Sequence, residues 1–321
     1  MFAVRGIAVS FSIFVILYSA LSLLVCGVWR RVWLSGQQYS ARRCADLLFA
    51  LRLFPLVVAT GITLALAVPS FLLLEPRAVY EPMGVAPVVL GFCGMTVMLA
   101  GMWKAASALV RASRTVARWS SEARVIGSSP VDSRNSVSVL RISGAVPPLT
   151  AAGILRPSLW LSRAAEFVLT ERELQSALRH EVLHVRRRDN LRKLVLRLVA
   201  FPGMAELESA WREAAEMAAD DAAVSSASEA LDLAAAVIKL SRLTPLEPAA
   251  ELTTALVESP AESLNVRVGR LIAWTERQQT PVKGYSLGYA LCAAAAVVAT
   301  LAVTYSELLV RVHAATEWLV R

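Results

Sequence analysis

The chain has 321 residues, of which 56% are hydrophobic and 18% charged, and its mean hydropathy is +0.54. Soluble domains hold about 45–50% apolar and about 25% charged residues, so this composition excludes a disordered chain and favours a membrane protein. The net charge of +8 would also suit a nucleic-acid partner, but membrane proteins concentrate Lys and Arg on one side of the bilayer.

Four long stretches of the sequence contain no charged residue, three in the first third of the chain and one near its C-terminus. Each is longer than the ~20 residues with which a helix crosses the hydrocarbon core of a bilayer. The sequence therefore predicts four transmembrane helices, over residues 6–29, 53–74, 82–103 and 284–306.

The distribution of basic residues predicts the orientation of these helices. Of the 33 Lys and Arg residues, 29 lie in the segments 30–52 and 104–283, which we expect in the cytoplasm. Both termini are then extracytoplasmic, in a multi-pass protein of a bacterial-type inner membrane. Segment 104–283 holds 24 basic and 20 acidic residues, a near balance that argues against direct nucleic-acid binding. The lipid bilayer is the expected partner of the positive charge.

This pattern divides the chain into three parts. Residues 1–111 hold three transmembrane helices, residues 112–283 form a cytoplasmic domain, and residues 284–321 hold the fourth helix and a short extracytoplasmic tail. Within the cytoplasmic domain, β-branched and alternating residues predict strands over 136–143 and 158–162.

A helical pattern begins after Thr170, which has Glu173 three residues later as in a capping box. On this helix lies the motif His180-Glu181-Val-Leu-His184. Residues four apart share a helix face, so both imidazoles can bind one zinc ion, and Glu181 can act as general base on a water molecule. Since the chain has only three histidines, this spacing is unlikely to arise by chance.

A third protein ligand must come from elsewhere, because His313 lies in the tail beyond the last helix. The next predicted helix, about 205–224, has Glu213, Glu216 and Asp220 on one face. Glu216 can bind the metal while Asp220 orients a ligating histidine from behind. Spacing alone is equally compatible with an ordinary solvated acidic face.

Several segments resemble the BlaR/MecR-type membrane zinc metallopeptidases, which comprise β-lactam sensor-transducers and relatives without a sensor. The order of three helices, a peptidase domain and a fourth helix is also similar to that family. The resemblance covers essentially the whole chain and lies in residues 178–190 around the histidines, Gly153–Pro157, Ser158–Ser162, Glu216–Asp220 and Arg267–Leu271.

The resemblance implies a mainly α membrane protein with an α+β, zincin-type (gluzincin-like) cytoplasmic peptidase domain. His180, His184 and Glu216 would bind one catalytic zinc ion, Glu181 would be the general base, and Asp220 would support a ligand. The implied activity is a zinc metalloendopeptidase that hydrolyses a cytoplasmic regulatory protein, such as a winged-helix repressor, in antirepressor signal transduction.

One departure from the family concerns the signal. The well-known sensors carry a large extracytoplasmic penicillin-binding domain after the last helix, whereas this sequence ends at Arg321. We therefore expect the stimulus to arrive through a separate sensor partner or through the transmembrane helices, rather than by β-lactam binding.

The strand predicted over 158–162 is a candidate for substrate binding. If it lies at a sheet edge above the zinc ion, an extended substrate can pair with it by β-augmentation. A purely structural strand explains the pattern equally well. The residues concerned are Ser158, Leu159, Trp160, Leu161 and Ser162.

Two other functions fit the sequence. A quality-control protease of the HtpX type shares both metal motifs but usually has two transmembrane helices before them. A non-catalytic membrane receptor or scaffold is the alternative from another class, and the presence of Glu181 argues against it.

Overall fold

The structure, a computed structural model, describes residues 2–36, 40–75, 84–130, 136–143, 147–199, 201–243, 252–256, 261–274 and 304–317. Most of these residues are helical, and the strands among them form a mixed sheet of five. The chain divides into two compact units. The first comprises Met1–Gly27, Leu53–Ala100 and Gln278–Arg321, and the second comprises Val28–Arg52 and Gly101–Arg277.

Three helical stretches are long and apolar enough to cross a membrane, as the sequence predicts. The predicted fourth transmembrane helix, 284–306, lies outside the described residues except for 304–306, which begin a helix, α11, over 304–317. The three stretches are α1 (Phe2–Gly36), α2 (Ala41–Ile62) continued by a π-helical turn (Thr63–Ala67) into α3 (Val68–Leu74), and α4 (Val85–Glu122).

Small residues bring the helices of the first unit close together. Ser12 on α1 donates a hydrogen bond to the Pro87 carbonyl at 2.9 Å. A side chain at Gly91 on α4 would place its Cβ 2.7 Å from the Ala8 carbonyl oxygen, so only glycine allows this approach. Such contacts are typical of membrane helices. Large apolar side chains that face outward agree with membrane association, among them Leu23, Leu73 and Phe92.

The second unit contains the sheet. Its order is β1-β2-β4-β3-β5, with β2 and β4 parallel and the other neighbours antiparallel. The two predicted strands are confirmed as β2 and β4, while the other three have no clear sequence signal. The strands are β1 (Arg124–Pro130), β2 (Ser136–Ile142), β3 (Leu149–Ala152), β4 (Ser158–Ser162) and β5 (Thr253–Ala255).

Residues 158–162 do not lie at a sheet edge, which was the condition for substrate pairing with this strand. Strand β4 pairs with β2 on one side and with β3 on the other, so the backbone groups on both sides of β4 face a neighbouring strand. Trp160 is buried and packs against Trp119, with ring centroids 5.6 Å apart. This strand therefore belongs to the core and cannot accept another strand.

Helix α6 lies at the centre of the second unit, where it contacts β3, α8 and α9. The capping box at its start is confirmed: Glu173 N–H donates to Thr170 Oγ1, and Thr170 N–H donates to Glu173 Oε2 at 2.8 Å. The helices after the sheet are α5 (Arg163–Val168), α6 (Glu171–Arg187), α7 (Asp189–Leu198), α8 (Ala205–Ala223), α9 (Ala227–Ser241) and α10 (Ala261–Ile272).

A single residue separates α6 from α7. Arg188 has a left-handed backbone conformation, with φ 55° and ψ 41°, and its N–H donates to the Val185 carbonyl at 3.0 Å. This conformation is uncommon for residues other than glycine, asparagine and aspartate. It ends α6 and places Asp189 at the first position of α7.

Residues 28–52 belong to the same compact unit as the sheet, although the sequence analysis assigned them to the three-helix part of the chain. The Phe49 and Trp211 rings pack with centroids 6.0 Å apart. The Arg52 guanidinium is buried and donates to the Val199 carbonyl at 2.7 Å. The start of α2 is therefore attached to the helices that follow the histidine motif.

The turn between β3 and β4 provides a test of the fold. Gly153 has φ +104°, and a Cβ there would lie 2.6 Å from the Arg156 carbonyl oxygen. We expect Gly153→Ala to reduce the free energy of unfolding by about 1–3 kcal/mol or more, since both backbone strain and a clash result. Gly127→Ala is the control, because no atom lies within 4 Å of its Cβ position. Equal thermal midpoints for the two variants would contradict this account.

Candidate metal centre

Two helices of the second unit bring the histidine motif and the acidic face together. Helix α6 carries His180, Glu181 and His184, and α8 carries Glu216 and Asp220. One ligand atom from each of His180, His184 and Glu216 lies within 4.8 Å of the others, so this group can hold a metal ion. Both histidines are buried and Glu216 is nearly so.

The two imidazoles and the Glu216 carboxylate form a triangle of groups. The Nε2 atoms of His180 and His184 are 3.1 Å apart. Glu216 Oε2 lies 3.5 Å from His180 Nε2, and Glu216 Oε1 lies 3.4 Å from His184 Nε2. A tetrahedral ion bound at about 2.0–2.1 Å has ligand atoms about 3.3 Å apart. The triangle therefore has the size that such an ion requires.

Carboxylates behind the two imidazoles determine which ring nitrogens face the centre. Nδ1 of His180 lies 3.0 Å from Asp220 Oδ1, and Nδ1 of His184 lies 2.7 Å from Asp189 Oδ2. Each carboxylate favours the tautomer with hydrogen on Nδ1, which leaves the Nε2 lone pairs of both rings directed at each other. Two lone pairs at this distance repel unless a cation lies between them, so the residues fit a metal ion.

The charges around His180 also favour a cation. Burial alone would lower the pKa of this imidazole, but the hydrogen bonds to Asp220 and Glu216 outweigh burial and raise the pKa. In the absence of a metal ion, a proton on His180 partly relieves the repulsion. A divalent cation relieves it further, because its charge is larger and lies between all three ligands.

Arg267 on α10 is a residue of the site that sequence reasoning missed, since Arg267–Leu271 was noted only as a segment that resembles the family. Its buried guanidinium holds Asp220 by two hydrogen bonds of 2.8 Å and lies 2.9 Å from Glu216 Oε2. The signal was available, since Leu264 and Leu271 lie on the same helix face and pack into the core. An arginine on an apolar face is usually buried and paired.

Arg267 keeps the carboxylates of Glu216 and Asp220 ionised. Burial by itself raises the pKa of Glu216, but the charge of Arg267 and the nearby histidines lower it to about 2. Burial likewise opposes the ionisation of Asp220, and Arg267 lowers that pKa as well. Glu216 is thus a charged oxygen ligand at every physiological pH.

Glu181 has a different environment on the same helix. Its Oε2 accepts hydrogen bonds from the Ala151 N–H at 3.1 Å and from Thr254 Oγ1 at 3.4 Å. Its Oε1 has no hydrogen-bond partner among the described residues. Burial, with a contribution from the negative charge of Glu216, raises the pKa of Glu181 to about 8. A carboxylate with one unsatisfied oxygen and a pKa near neutrality is suited to accept and release a proton.

The other predicted residues have different positions. Asp220 lies behind His180, as the spacing predicts, while Asp189, to which the sequence analysis gave no role, holds His184. Glu213 does not belong to the cluster. The residues of the proposed substrate strand, Ser158, Leu159, Trp160, Leu161 and Ser162, form the interior strand β4.

No protein-family model matches this sequence, and a search of curated proteins also finds no match. The chemistry of the site therefore has to be inferred from its geometry. The described residues provide two imidazoles and one carboxylate that can act as ligands, and an adjacent carboxylate with a raised pKa. This combination can activate water beside a bound metal ion.

The ligand assignment predicts the metal content of variants. The purified wild-type chain should hold one divalent ion, His184→Ala should lose it, and Glu216→Gln should bind it much more weakly, because each loses a ligand atom. Glu213→Gln is the matched control, since Glu213 lies one turn away on the same helix. Elemental analysis of the purified proteins measures the difference. Equal metal content in Glu216→Gln and Glu213→Gln would contradict the assignment.

The raised pKa of Glu181 predicts a pH-dependent stability. Between pH about 4.5 and about 8 the folded chain retains a proton on Glu181 that the unfolded chain has released, so stability falls as the pH rises through this range. Glutamine does not titrate. In the metal-free protein, Glu181→Gln should therefore gain stability relative to wild type by up to about 1.4 kcal/mol per pH unit. Thermal unfolding in chelator at pH 5 and pH 8 measures this gain, which should be larger at pH 8.

Proposed function

We propose that this chain is a membrane-anchored zinc endopeptidase that hydrolyses a cytoplasmic regulatory protein. One observation carries the proposal: the unsatisfied Oε1 of Glu181 belongs to the residue next to His180 in a buried triangle of metal-binding atoms. A structural metal site has no need for a buried carboxylate with a pKa near 8, which costs stability in the folded chain.

The donor set favours zinc among the common metal ions. Magnesium and calcium prefer six or more oxygen ligands, whereas two imidazoles and one carboxylate suit zinc. Three protein ligands leave a fourth tetrahedral position for water or substrate, which is the arrangement of catalytic zinc sites. The charged Glu216 and the two Nε2 lone pairs supply these three ligands.

Glu181 performs the proton transfers in this proposal. When bound, the metal ion supplies Lewis acidity that polarises the substrate carbonyl and lowers the pKa of water toward ~7. In its ionised form, which the positive charge of a bound metal ion would favour, Glu181 accepts the proton of the attacking water at Oε1 and passes it to the nitrogen of the departing amine. The Ala151 N–H holds Oε2 at 3.1 Å, and Oε1 has no hydrogen-bond partner among the described residues, so Oε1 is the oxygen left for proton transfer.

The sheet edge beside Glu181 is the place where an extended substrate would bind. Ala151 of β3 donates its N–H to Glu181, and the side of β3 opposite β4 pairs with β5. In this structure Thr254 of β5 contacts the same carboxylate at 3.4 Å. A substrate strand that pairs with β3 must therefore replace residues 253–255. This edge takes the role that the sequence analysis gave to residues 158–162.

The three long apolar helices support the membrane location, and the distribution of Lys and Arg supports a cytoplasmic peptidase domain. A peptidase domain at the cytoplasmic face can bind soluble cytoplasmic proteins, and the helices in the membrane can transmit a signal to it. A transcriptional repressor as substrate, with a separate sensor protein as partner, follows from the resemblance to the BlaR/MecR-type peptidases.

A comparison of proteolysis with metal binding tests this function. Glu181→Gln should retain zinc and lose at least about 100-fold in cleavage rate, because it keeps the ligands but removes the general base. Newly formed protein N-termini in cells that express wild type or Glu181→Gln would identify the substrates. Purified full-length protein in detergent would then be assayed on them.

Glu213→Gln is again the matched control and should cleave as wild type does. The same set of new N-termini in cells with wild type and with Glu181→Gln would overturn the proposed activity. Loss of both zinc and cleavage in Glu181→Gln would instead show that Glu181 has a structural role.

A further inference from the structure

Arg187 is a buried arginine near the candidate metal centre, and its guanidinium has no hydrogen-bond partner among the described residues. Arg187 is in the last turn of α6, and its side chain is 11% exposed. Its Nε, Nη1 and Nη2 have no hydrogen-bond partner among the described residues. A guanidinium usually satisfies its five N–H groups when it is buried, because leaving them unpaired is costly.

Two carboxylates lie on either side of this guanidinium. Asp189 Oδ1 is 3.8 Å from Arg187 Nε, and Asp46 Oδ1 is 3.5 Å from Arg187 Nη2. Both distances exceed that of a charge-assisted hydrogen bond, which is about 2.7–2.9 Å. The guanidinium is therefore shared between two carboxylates and is fully bonded to neither. Burial lowers the pKa of Arg187, while the charges of Asp189 and Asp46 oppose this effect.

The two carboxylates belong to different parts of the second unit. Asp189 is buried and accepts a hydrogen bond from His184 Nδ1 at 2.7 Å, and its Oδ1 has no hydrogen-bond partner among the described residues. Asp46 is half-exposed near the start of α2, where Arg192 of α7 holds its carboxylate at 2.7 Å. The ion pairs form a continuous series from α2 to a proposed metal ligand.

We propose that Arg187 is a positioning residue that couples the start of α2 to the metal ligand His184, through Asp46 on one side and Asp189 on the other. The inference rests on the proposed metal centre and adds to it a means of control. Helix α2 begins one of the three stretches that are able to cross a membrane. A shift of α2 at Asp46 changes how strongly Arg187 binds Asp189.

The direction of the effect follows from the charges. When Asp46 withdraws, Arg187 is free to form full hydrogen bonds with Asp189 Oδ1. A carboxylate engaged by a guanidinium is a weaker acceptor for the His184 Nδ1–H, so the imidazole becomes a weaker donor to the metal. Removal of the negative charge of Asp46 weakens cation binding as well. Both effects lower the zinc affinity.

A double-mutant cycle on the full-length protein in detergent tests the coupling, with the zinc dissociation constant measured by chelator competition as the readout. Asp46→Asn should raise this constant about threefold to tenfold, less than the about 10- to 100-fold cost typical of losing the group that orients a ligand directly. Asp46→Glu should recover part of the affinity. In an Arg187→Met background, Asp46→Asn should have a clearly smaller effect, because only the direct charge of Asp46 is then lost.

A matched control is available in the same unit. Glu166 is partly exposed, as Asp46 is, and forms an ion pair with Arg141 at 2.5 Å. This pair does not contact the proposed metal ligands, so Glu166→Gln should leave the zinc affinity unchanged. If Arg187→Met does not fold, the half-exposed Asp46 variants still decide the question by the first comparison.

Three results would overturn the proposal. One is an Asp46→Asn dissociation constant within about twofold of wild type, which lies below the predicted effect. Another is an equal effect of Asp46→Asn with and without Arg187, which would indicate long-range charge alone. The third is a wild-type chain that binds no zinc, a result that removes the proposed function itself and is distinguished from the other two by the wild-type measurement.

Discussion

Two imidazole nitrogens 3.1 Å apart need a proton or a metal cation between them to relieve the repulsion of their lone pairs. The rest of the second unit follows from this requirement. Asp220 and Asp189 direct the two rings, Glu216 completes the triangle, and Arg267 compensates the negative charge that α8 brings into the core. The helices α6, α8 and α10 therefore hold one another through charge as well as through apolar packing, and α7 joins them through Asp189.

The local parts of this arrangement could be predicted from the sequence. The spacing of His180 and His184 and the capping box at Thr170 depend only on the period of a helix, as does the single turn between Glu216 and Asp220. The three long apolar helical stretches depend on composition over a length of about 20 residues. In each case the sequence interval that carries the signal is shorter than the element that it predicts.

The remaining features depend on contacts between distant residues. The position of β4 inside the sheet is decided by pairing with β2 and β3, and no property of residues 158–162 distinguishes an interior strand from an edge strand. Strand β5 has three residues and no periodicity that a sequence could show. The contact between Asp189 and His184 depends on the change of chain direction at Arg188. The contact between Asp46 and Arg187 joins two positions that are separated in sequence by two predicted transmembrane helices.

The left-handed backbone of Arg188 determines which carboxylate can form a hydrogen bond with His184. Residues five apart on a continuous helix point about 140° away from each other, so Asp189 could not reach His184 if α6 simply went on. The left-handed conformation of Arg188 changes the chain direction at the end of α6. The Asp189 carboxylate then lies 2.7 Å from Nδ1 of His184. The two histidines of the candidate metal centre thus obtain their carboxylate partners from different parts of the chain: Asp220 comes from α8, and Asp189 directly follows α6. An uninterrupted α6 would leave His184 without Asp189 as its partner.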